Sequence, residues 1–421
     1  MGSYSVTKAD QVELWHSKSE VDEDSLSIFL ERDRRVRPDP TQAEDDYDPD
    51  YAFMAAIFEY AVPADQMKER LDALGFTLPR ARADFERVLA SECDMVRDWV
   101  KGGESFTSVD ELAFLEAANF GVWQKALKEV VRKKIPFWHQ ERLDKLPAAA
   151  PLRYHNDYGV LGAFTDPRLF LRAYLATVTS TREVVLDVSD LVHGGYYEPD
   201  QRICDDARRR WAETHPIYGS IVVLTEGRSD SRILSAAFQK MCPHLADLFG
   251  FLDFEGLRVE GSAETLAKTI RAFVGARLSS RVIALFDNDT AGAEALGTLN
   301  ELSLPANIKV MALPSSSIAA SYPTAGPQGL TTMDVNGLAA SIELFLGVEA
   351  LSSDGGDLFP VRWTGWRPKV QRYQGAVESK ERIQSAFFEL LDRAPNAHAA
   401  RDRFPDLARV IDQLSFAFAG E

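Results

Sequence analysis

The stretch Ile221-Val222-Val223-Leu224-Thr225-Glu226-Gly227 decides the fold that this sequence predicts. Its first four residues are apolar and three of them are β-branched, which is typical of a short strand buried on both faces of a parallel sheet. A carboxylate and a glycine follow at once, at the place where such a strand ends and a helix begins. The stretch therefore predicts one βα unit of an α/β domain, with polar groups at the carboxyl end of its strand.

Strands and helices continue to alternate after this stretch. Apolar runs predict further strands over residues 250–254, 281–286 and 308–313. Periodic apolar residues predict helices over residues 229–241, 262–278 and 291–299. Elements that alternate at these lengths predict a right-handed, doubly wound, Rossmann-like α/β domain over residues 220–350. Residues 314–333 are rich in Ser, Thr, Pro and Gly and predict a surface loop.

The first half of the chain has a different pattern. Polar and apolar residues alternate near positions 4–15, which predicts a small β-hairpin. From about residue 25 to 140, apolar residues recur at intervals of three and four, as in Phe53, Ile57 and Tyr60, which predicts helices, one of them over 111–131. We expect four parts: a mainly helical domain (1–150), a connecting segment with a helix and a strand (151–219), the α/β domain (220–350) and a helical C-terminal extension (351–421).

The net charge of the 421-residue chain is −17, but it is unevenly distributed. Residues 1–50 alone carry a net charge of −8, and the run Glu44–Asp50 within them predicts a solvated loop. A metal site or a nucleic-acid mimic is the alternative interpretation of that run. Because phosphate binding needs only a local basic surface, the total charge does not exclude a polyanionic partner.

The sequence predicts a cytoplasmic protein that does not contact a membrane. No stretch approaches the roughly 18 consecutive apolar residues of a membrane span, and the N-terminus lacks the basic and apolar segments of a secretory signal. The three cysteines, Cys93, Cys204 and Cys242, are scattered and never form a Cys-x-x-Cys motif. This usage indicates a reducing compartment and argues against a disulfide framework and a zinc ribbon.

Carboxylates follow two of the predicted strands: Glu226 follows the first, and Asp287 and Asp289 follow the strand over 281–286. Since the carboxyl ends of neighbouring parallel strands share one edge of a sheet, we expect these carboxylates to converge. Carboxylate oxygens are ligands that Mg²⁺ and Mn²⁺ prefer, and Glu226 would serve as a ligand or as a general acid/base. Gly227 would let the backbone approach a phosphate at the helix start. The alternative is that the carboxylates merely cap the helices that follow.

The order and spacing of these residues resemble those of the Toprim domain. One apolar strand ends in Thr-Glu-Gly-x-x-Asp at 225–230, another ends in Asp-x-Asp-x-x-Gly at 287–292, and Glu226 and Asp287 are 61 positions apart. Toprim domains are the catalytic modules of topoisomerases, primases and the overcoming-lysogenization-defect (OLD) nucleases. The resemblance covers residues 220–313 and implies that Glu226, Asp287 and Asp289 form a catalytic site that uses Mg²⁺ or Mn²⁺.

Two further segments are similar to parts of OLD-like Toprim proteins. Residues 334–344 resemble an acidic segment after the Asp-x-Asp motif, which implies that Glu343, on a helix, and Asp230 supply additional ligands and that two metals can bind. Residues 372–380 resemble a Gln-Gly…Lys stretch, which implies that Lys380 stabilises phosphoryl charge. The alternatives are an exposed helical glutamate and a solvated surface lysine.

Other members of the Toprim group fit this chain less well. The sequence has no Gly-x-x-x-x-Gly-Lys-Ser/Thr motif, so the ATPase that accompanies many OLD nucleases is missing from this chain. Three scattered cysteines cannot build the zinc ribbon of bacterial-type primases. A length of 421 residues leaves little room for the tyrosine-bearing domain of a topoisomerase. These features favour the nuclease branch.

The N-terminal half resembles the HEPN/Toprim-associated N-terminal domain of bacterial conflict systems, on the segments 1–5, 14–19, 29–35 and 191–197. Proteins of that family carry either a HEPN ribonuclease or a Toprim domain. HEPN ribonucleases pair an Arg with a His a few residues later, and the candidate pairs here are Arg132 with His139 and Arg210 with His215. Both pairs are better explained as structural. Pro136 would break the helix that must align the first pair, and in the second pair His215 precedes Pro216 at the end of its helix. A unit that recognises nucleic acid or a phage component and a scaffold for oligomerisation remain equal alternatives for this half.

Together these patterns predict an Mg²⁺-dependent Toprim nuclease that cleaves the phosphodiester bonds of DNA, or of RNA, in anti-phage defence. A sensor or interaction protein that binds nucleic acid or a nucleotide without cutting is the alternative. Nucleic acid is the expected partner. A homo-oligomer and a separate partner protein of a defence system are further hypotheses.

Overall fold

The computed structural model describes residues 2–40, 53–103, 109–134, 164–214, 219–252, 261–327 and 329–420. The acidic run Glu44–Asp50, His139, His155, His215 and the end of the predicted strand over 250–254 lie outside the described residues. The chain divides into two compact units, one formed by residues 1–210 with 418–421 and the other by residues 211–417.

The first unit contains a five-stranded antiparallel sheet with the order β2-β1-β5-β4-β3. Its strands are β1 (Tyr4–Ala9), β2 (Val12–Lys18), β3 (Arg34–Pro38), β4 (Ala56–Pro63) and β5 (Glu183–Asp187). The predicted hairpin at the N-terminus is present as β1 and β2. Because β5 lies in the middle of the sheet, residues 164–210 are part of this unit and not a separate connecting segment.

The prediction of a helix through Phe53, Ile57 and Tyr60 is wrong, because residues 56–63 form the strand β4. Phe58, Tyr60 and Val62 are buried at a spacing of two, which is the period of a strand. The three- and four-residue spacing that suggested a helix is coincidental: the pairing of β4 with two neighbouring strands decides the conformation. The N-terminal part is therefore a mixed α/β unit and less helical than predicted.

Helices precede and follow the strands of this sheet along the chain. They are α1 (Glu23–Ile28), α2 (Ala64–Ala73), α3 (Leu78–Gly102), α4 (Val109–Ala117), α5 (Phe120–Arg132), α6 (Pro167–Thr177), α7 (Ser189–His193) and α8 (Ile203–Thr214), the last of which runs past residue 210 into the second unit. The single helix predicted over 111–131 is two helices, since the Asn119 side chain accepts the N–H of Val122 at 3.1 Å and caps a new helix there.

The second unit contains the predicted parallel sheet, with the order β10-β8-β6-β7. The strands are β6 (Ile221–Leu224), β7 (Phe249–Phe251), β8 (Val282–Phe286) and β10 (Ile308–Ala312), and the helices between them are α9 (Arg228–Met241), α10 (Pro243–Ala246), α11 (Ala263–Gly275) and α12 (Thr290–Leu299). All five residues of β8 are buried. The chain moves from β6 to β7 on one side and returns to β8 on the other, so the strand order reverses beside β6. Doubly wound sheets bind ligands at such a switch point.

The remainder of the second unit adds a second four-stranded sheet, a two-stranded sheet and a helical end. One sheet has the order β12-β11-β14-β15 and the other pairs β9 with β13, and their strands are β9 (Asn288–Asp289), β11 (Tyr322–Gly326), β12 (Gly329–Met333), β13 (Ala339–Ala340), β14 (Val361–Arg367) and β15 (Arg372–Val377). The helices are α13 (Val348–Leu351), α14 (Lys380–Arg393), α15 (Ala397–Arg403) and α16 (Pro405–Ser415).

Three predictions about this region are wrong. The surface loop over 314–333 contains the hairpin β11–β12, in which Tyr322 and Thr324 are fully buried at a strand spacing. The C-terminal extension begins with the hairpin β14–β15 before it becomes helical. Glu343 lies in a single 3₁₀ turn (Ile342–Phe345) after a short strand, because residue 337 is a glycine with φ of 73° that interrupts any longer helix. In the described part of the chain, no helix is both long and apolar enough to span a membrane.

Candidate active site

The carboxyl ends of β6 and β8 lie side by side and bring Glu226 and Asp287 together. The two strands pair in parallel, with Leu224 opposite Ala284. Just beyond them, the Asp287 backbone N–H donates to Oε1 of Glu226 at 2.9 Å. Glu226 therefore links the ends of the two central strands at the switch point, where the sequence predicts the site.

Two glycines make the close approach of these segments feasible. A Cβ atom on Gly292 would lie 2.2 Å from the carbonyl oxygen of Asp287, and one on Gly261 would lie 2.1 Å from the carbonyl oxygen of Glu226. A side chain at Gly261 would displace the segment that leads into α11, and one at Gly292 would displace the first turn of α12 from Asp287. Gly292 belongs to the Asp-x-Asp-x-x-Gly pattern, whereas sequence reasoning missed Gly261, which is marked only by its place before the helix-capping Ser262.

Asp289 is held by both of its carboxylate oxygens. One accepts the Gly292 N–H at 2.7 Å and caps α12, and the other accepts the side-chain amide of Gln374 at 2.6 Å. The side-chain oxygen Oε1 of Gln374 in turn accepts the Ala291 backbone N–H at 2.9 Å. Sequence reasoning did not single out Gln374, which lies 85 positions from Asp289, although it lies in the segment 372–380 that carries the resemblance.

We expect the isosteric variant Gln374→Glu to destabilise the protein more than Gln374→Ala at pH 8. The introduced glutamate would place a second carboxylate against the Asp289 oxygen that now accepts an amide, whereas alanine only removes hydrogen bonds that contribute about 1.5–3 kcal/mol when one partner is charged. Urea unfolding at pH 8 and pH 5 measures both variants. Because the pKa of the introduced carboxyl group would be raised, its penalty decreases as the pH falls and the group gains a proton to donate. Equal stability of Gln374→Glu and wild type at pH 8 would contradict this arrangement.

Asp230 and Gly227 contact each other at the start of α9. The Gly227 N–H donates to one Asp230 oxygen at 3.0 Å, and the Ser229 hydroxyl donates to the other at 3.3 Å. The Gly227 N–H that would approach a phosphate is thus engaged by a carboxylate of the same loop, and its φ of −147° is accessible to any residue. The role of Gly227 in phosphate binding stays a prediction.

Three carboxyl groups at this edge have strongly raised pKa values. Burial, followed by the charges of Asp289 and Asp230, raises the pKa of Glu226 to about 7. Burial and the charge of Glu343 raise the pKa of Asp230 to about 6. Burial and the charges of Asp230, Glu226 and Asp289 raise the pKa of Asp287 well above its usual range. The carboxylates are thus close enough to oppose one another's ionisation, although their nearest cation, Lys380, partly offsets the effect.

Glu343 and Lys380 form an ion pair. The Lys380 ammonium lies 3.0 Å from Oε2 of Glu343, which also accepts the Ser341 hydroxyl at 2.6 Å, and Oε1 accepts the Gln384 amide at 2.9 Å. Burial would raise the pKa of Glu343, but Lys380 and these donors hold it below its usual range. Burial would also lower the pKa of Lys380, yet Glu343, Asp287 and Asp230 raise it. The arrangement holds Lys380 charged beside the carboxylates, and it occupies both oxygens that Glu343 would offer to a metal.

The alternative interpretation, in which the carboxylates merely cap helices, holds for two of the carboxylates at this edge. Asp289 and Asp230 do accept N–H groups at the starts of α12 and α9. The side chains of Glu226 and Asp287 cap neither α9 nor α12, and their raised pKa values mean that folding buries them at a cost. A cation would reduce this cost, and carboxylate oxygens suit Mg²⁺ or Mn²⁺. As the side chains stand, no three His, Cys, Asp or Glu residues among those described form a metal-ligand group. In charge and donor chemistry the edge nevertheless suits a divalent cation, and Glu226 and Asp287 would be the ligands least engaged by other groups.

A groove of about 590 Å³ opens beside Glu226, between α11 and α12. Four basic side chains line it, namely Lys268, Arg271, Arg367 and Lys369. Glu294, which also lines it, pairs with Arg367 at 3.2 Å and with Lys369 at 3.1 Å. Lys268 pairs with Glu264, which also lines the groove, so the groove is mixed in charge, with three acidic and four basic side chains.

In the first unit, the segments around His16 and His193 meet. Both histidines line a groove of about 560 Å³ together with residues of β1, β4 and β5. The His193 ring nitrogen Nε2 lies 3.0 Å from the Ala56 carbonyl oxygen. Two of the segments that carry the N-terminal resemblance are therefore brought together by the sheet.

Fold and site together define a mixed α/β protein of two units, the second of which has buried carboxylates at the switch point of its parallel sheet. A family model described as HEPN/Toprim N-terminal domain 1 matches residues 1–211, slightly more than half of the chain. The chain belongs to this family, which confirms the resemblance of its N-terminal half. No curated protein and no solved structure matches the chain.

Proposed function

We propose that this protein is a metal-dependent nuclease of the Toprim type that cleaves phosphodiester bonds in DNA, with RNA as the alternative substrate. The observation that carries the proposal is the cluster of Glu226, Asp230 and Asp287, whose pKa values are raised by burial and by one another at the switch point of the sheet. Enzymes maintain such electrostatic strain at functional sites, where a bound group relieves it.

Family membership supports a role in nucleic-acid chemistry. The description of the matching family couples this N-terminal domain to HEPN and Toprim proteins. We extend this to anti-phage defence because the N-terminal segments resemble proteins of bacterial conflict systems. The cytoplasm is the compartment that such a role requires.

The residues of the site divide the chemistry among them. Glu226, Asp287 and Asp289, with Asp230, would hold Mg²⁺ or Mn²⁺, which when bound polarises a phosphoryl oxygen and provides an activated water. Glu226, whose pKa is about 7, is able to hold or release a proton at neutral pH. Lys380, held in place by Glu343, would compensate the charge that develops on the phosphoryl group.

Replacement of Glu226 by glutamine is expected to reduce cleavage at least about 100-fold, since a group that moves a proton in the transition state contributes factors of roughly 10² to 10⁴. Supercoiled plasmid, single-stranded DNA and single-stranded RNA are incubated with the full chain in Mg²⁺, Mn²⁺ or EDTA. Glu264→Gln is the matched control, because Glu264 lines the same groove but pairs with Lys268 at the surface. If wild type and Glu226→Gln behave alike on every substrate, the nuclease proposal fails.

The second candidate function is a sensor that binds nucleic acid or a nucleotide without cutting it. The helix-capping contacts of Asp230 and Asp289 favour it, because they give two of the carboxylates a structural role. Metal-independent binding without cleavage of any of the three substrates would support this function.

A further inference from the structure

The hairpin β14–β15 differs in composition from the rest of the chain. Its 17 residues, Val361–Val377, include four basic residues and no acidic residue. Three others have large aromatic side chains, Trp363, Trp366 and Tyr373. Aromatic residues interspersed with basic ones are typical of surfaces that bind unpaired nucleotides.

A β-bulge brings the aromatic residues together. Trp366 is the cross-strand partner of Tyr373, and Trp363 is the partner of Gly375. Trp363 and Trp366 are three positions apart, a spacing that would place them on opposite faces of a regular strand. The register shifts at Thr364, and this extra residue returns the two tryptophans to the same face. Both therefore lie opposite positions on one face of β15. The ring centroids of Trp366 and Tyr373 are 4.9 Å apart, and those of Trp363 and Tyr373 are 6.3 Å apart.

These rings face solvent instead of a core. Trp366 is 50% exposed and Tyr373 is 57% exposed. They line a groove of about 1000 Å³, together with Arg362 and Arg372. Large exposed aromatic surfaces that cluster in this way usually mark a binding site.

We propose that this surface, the aromatic hairpin face (Arg362, Trp363, Trp366, Arg372 and Tyr373), binds single-stranded nucleic acid. Unpaired bases stack on the rings, and Arg372 contacts a phosphate, whereas Arg362 pairs with Glu378. Bases in a duplex are covered on both faces by their neighbours, so only a single strand presents free faces to these rings. Three of the four basic side chains of the hairpin pair with carboxylates, Arg362 with Glu378 and Arg367 and Lys369 with Glu294, so the positive charge of this face comes mainly from Arg372.

The aromatic hairpin face is connected directly to the carboxylate cluster. The Thr290 hydroxyl donates to the Tyr373 carbonyl at 2.7 Å, and the next residue, Gln374, holds Asp289. Tyr373 and Gln374 are neighbours on β15, so the aromatic hairpin face and the carboxylate cluster are one residue apart along this strand, on alternate faces. The inference rests on the proposed function for this placement and names its substrate class, but binding itself requires no catalysis.

Binding of fluorescein-labelled single strands to the full chain in EDTA tests the proposal by fluorescence anisotropy. The probes are a 12-nucleotide oligo(dT), the corresponding oligo(U) and a blunt duplex of mixed sequence. Trp366→Ala and Tyr373→Ala are each expected to weaken single-strand binding about tenfold, the effect of losing one stacked base. Phe416→Ala, which removes another exposed ring of the second unit, is expected to bind like wild type. The change Arg372→Gln should reduce the slope of log affinity against log salt by about 0.7.

The outcomes separate this inference from the proposed function. If Trp366→Ala and Tyr373→Ala bind like wild type, or if the duplex binds as tightly as the single strand, the stacking proposal is overturned even when plasmid cleavage is observed. If wild type binds single strands through these residues and cleaves nothing, the stacking proposal stands and the nuclease proposal is overturned. Thermal unfolding of the variants confirms that loss of these exposed side chains leaves the fold intact.

Discussion

Replacing Gly292 by alanine is expected to destabilise the second unit by about 3 kcal/mol and to abolish cleavage, whereas the same change at Gly297 stabilises it. The alanine Cβ at position 292 would lie 2.2 Å from the Asp287 carbonyl oxygen, and a backbone atom cannot yield as a side chain does. Overpacking of this kind costs about 1–3 kcal/mol and shifts the backbone. The shift would move α12 and Asp289 away from the end of β8.

Gly297 provides the matched control because it belongs to the same helix. A Cβ atom there would meet no other atom within 4 Å, so Gly297→Ala gains about 0.5–1 kcal/mol of helix propensity. Urea unfolding of both variants and cleavage of plasmid in Mg²⁺ measure the contrast. Equal stability of the two variants would show that the close approach at Asp287 does not constrain the site.

The second large effect is a gain in stability from Glu226→Gln in the absence of metal. The pKa of Glu226 is about 7 in the folded protein, against 4.5 as its ordinary value. Because the folded-state pKa is raised, ionisation costs stability, and this cost grows as the pH rises from about 4.5 through 7. A shift of that size corresponds to roughly 3 kcal/mol when the group is fully ionised. Glutamine carries no charge, and its Oε1 can still accept the Asp287 N–H.

Urea unfolding of the metal-free protein at pH 5 and pH 8 measures this gain as the difference between the variant and wild type. We expect little difference at pH 5 and a more stable variant at pH 8. Addition of Mg²⁺ at pH 8 should stabilise wild type more than Glu226→Gln. The control, Glu264→Gln, should show no gain, because Lys268 holds the pKa of Glu264 below its usual range. A variant less stable than wild type at pH 8 in EDTA would contradict the raised pKa.

Two substitutions at the same carboxylate edge thus separate its structural from its functional requirements. Gly292→Ala is expected to lose stability and activity together, since it displaces the backbone. Glu226→Gln is expected to gain stability while activity is lost, which is the signature of a site built at the expense of folding.

The sequence by itself determined the central α/β layer and most of the acidic residues near its edge. β6 was predicted with its observed bounds, because a run of four apolar, mostly β-branched residues between polar flanks is typical of a buried strand of a parallel sheet. The local order of strand, carboxylate, glycine and helix likewise indicated Glu226, Asp287 and Asp289, the resemblance to OLD-like proteins added Asp230, and the structure brings the four to one edge.

Only the tertiary structure decided which partners these residues have. β4 is a strand because two neighbouring strands pair with it, although its apolar spacing suggested a helix. Gln374 holds Asp289 across 85 positions, Lys380 neutralises Glu343, and a bulge at Thr364 aligns the rings of Trp363, Trp366 and Tyr373. Periodicity and capping are local properties that a sequence displays directly. Strand pairing, burial and the charge around a carboxylate depend on residues that are distant in the chain, and folding alone brings them together.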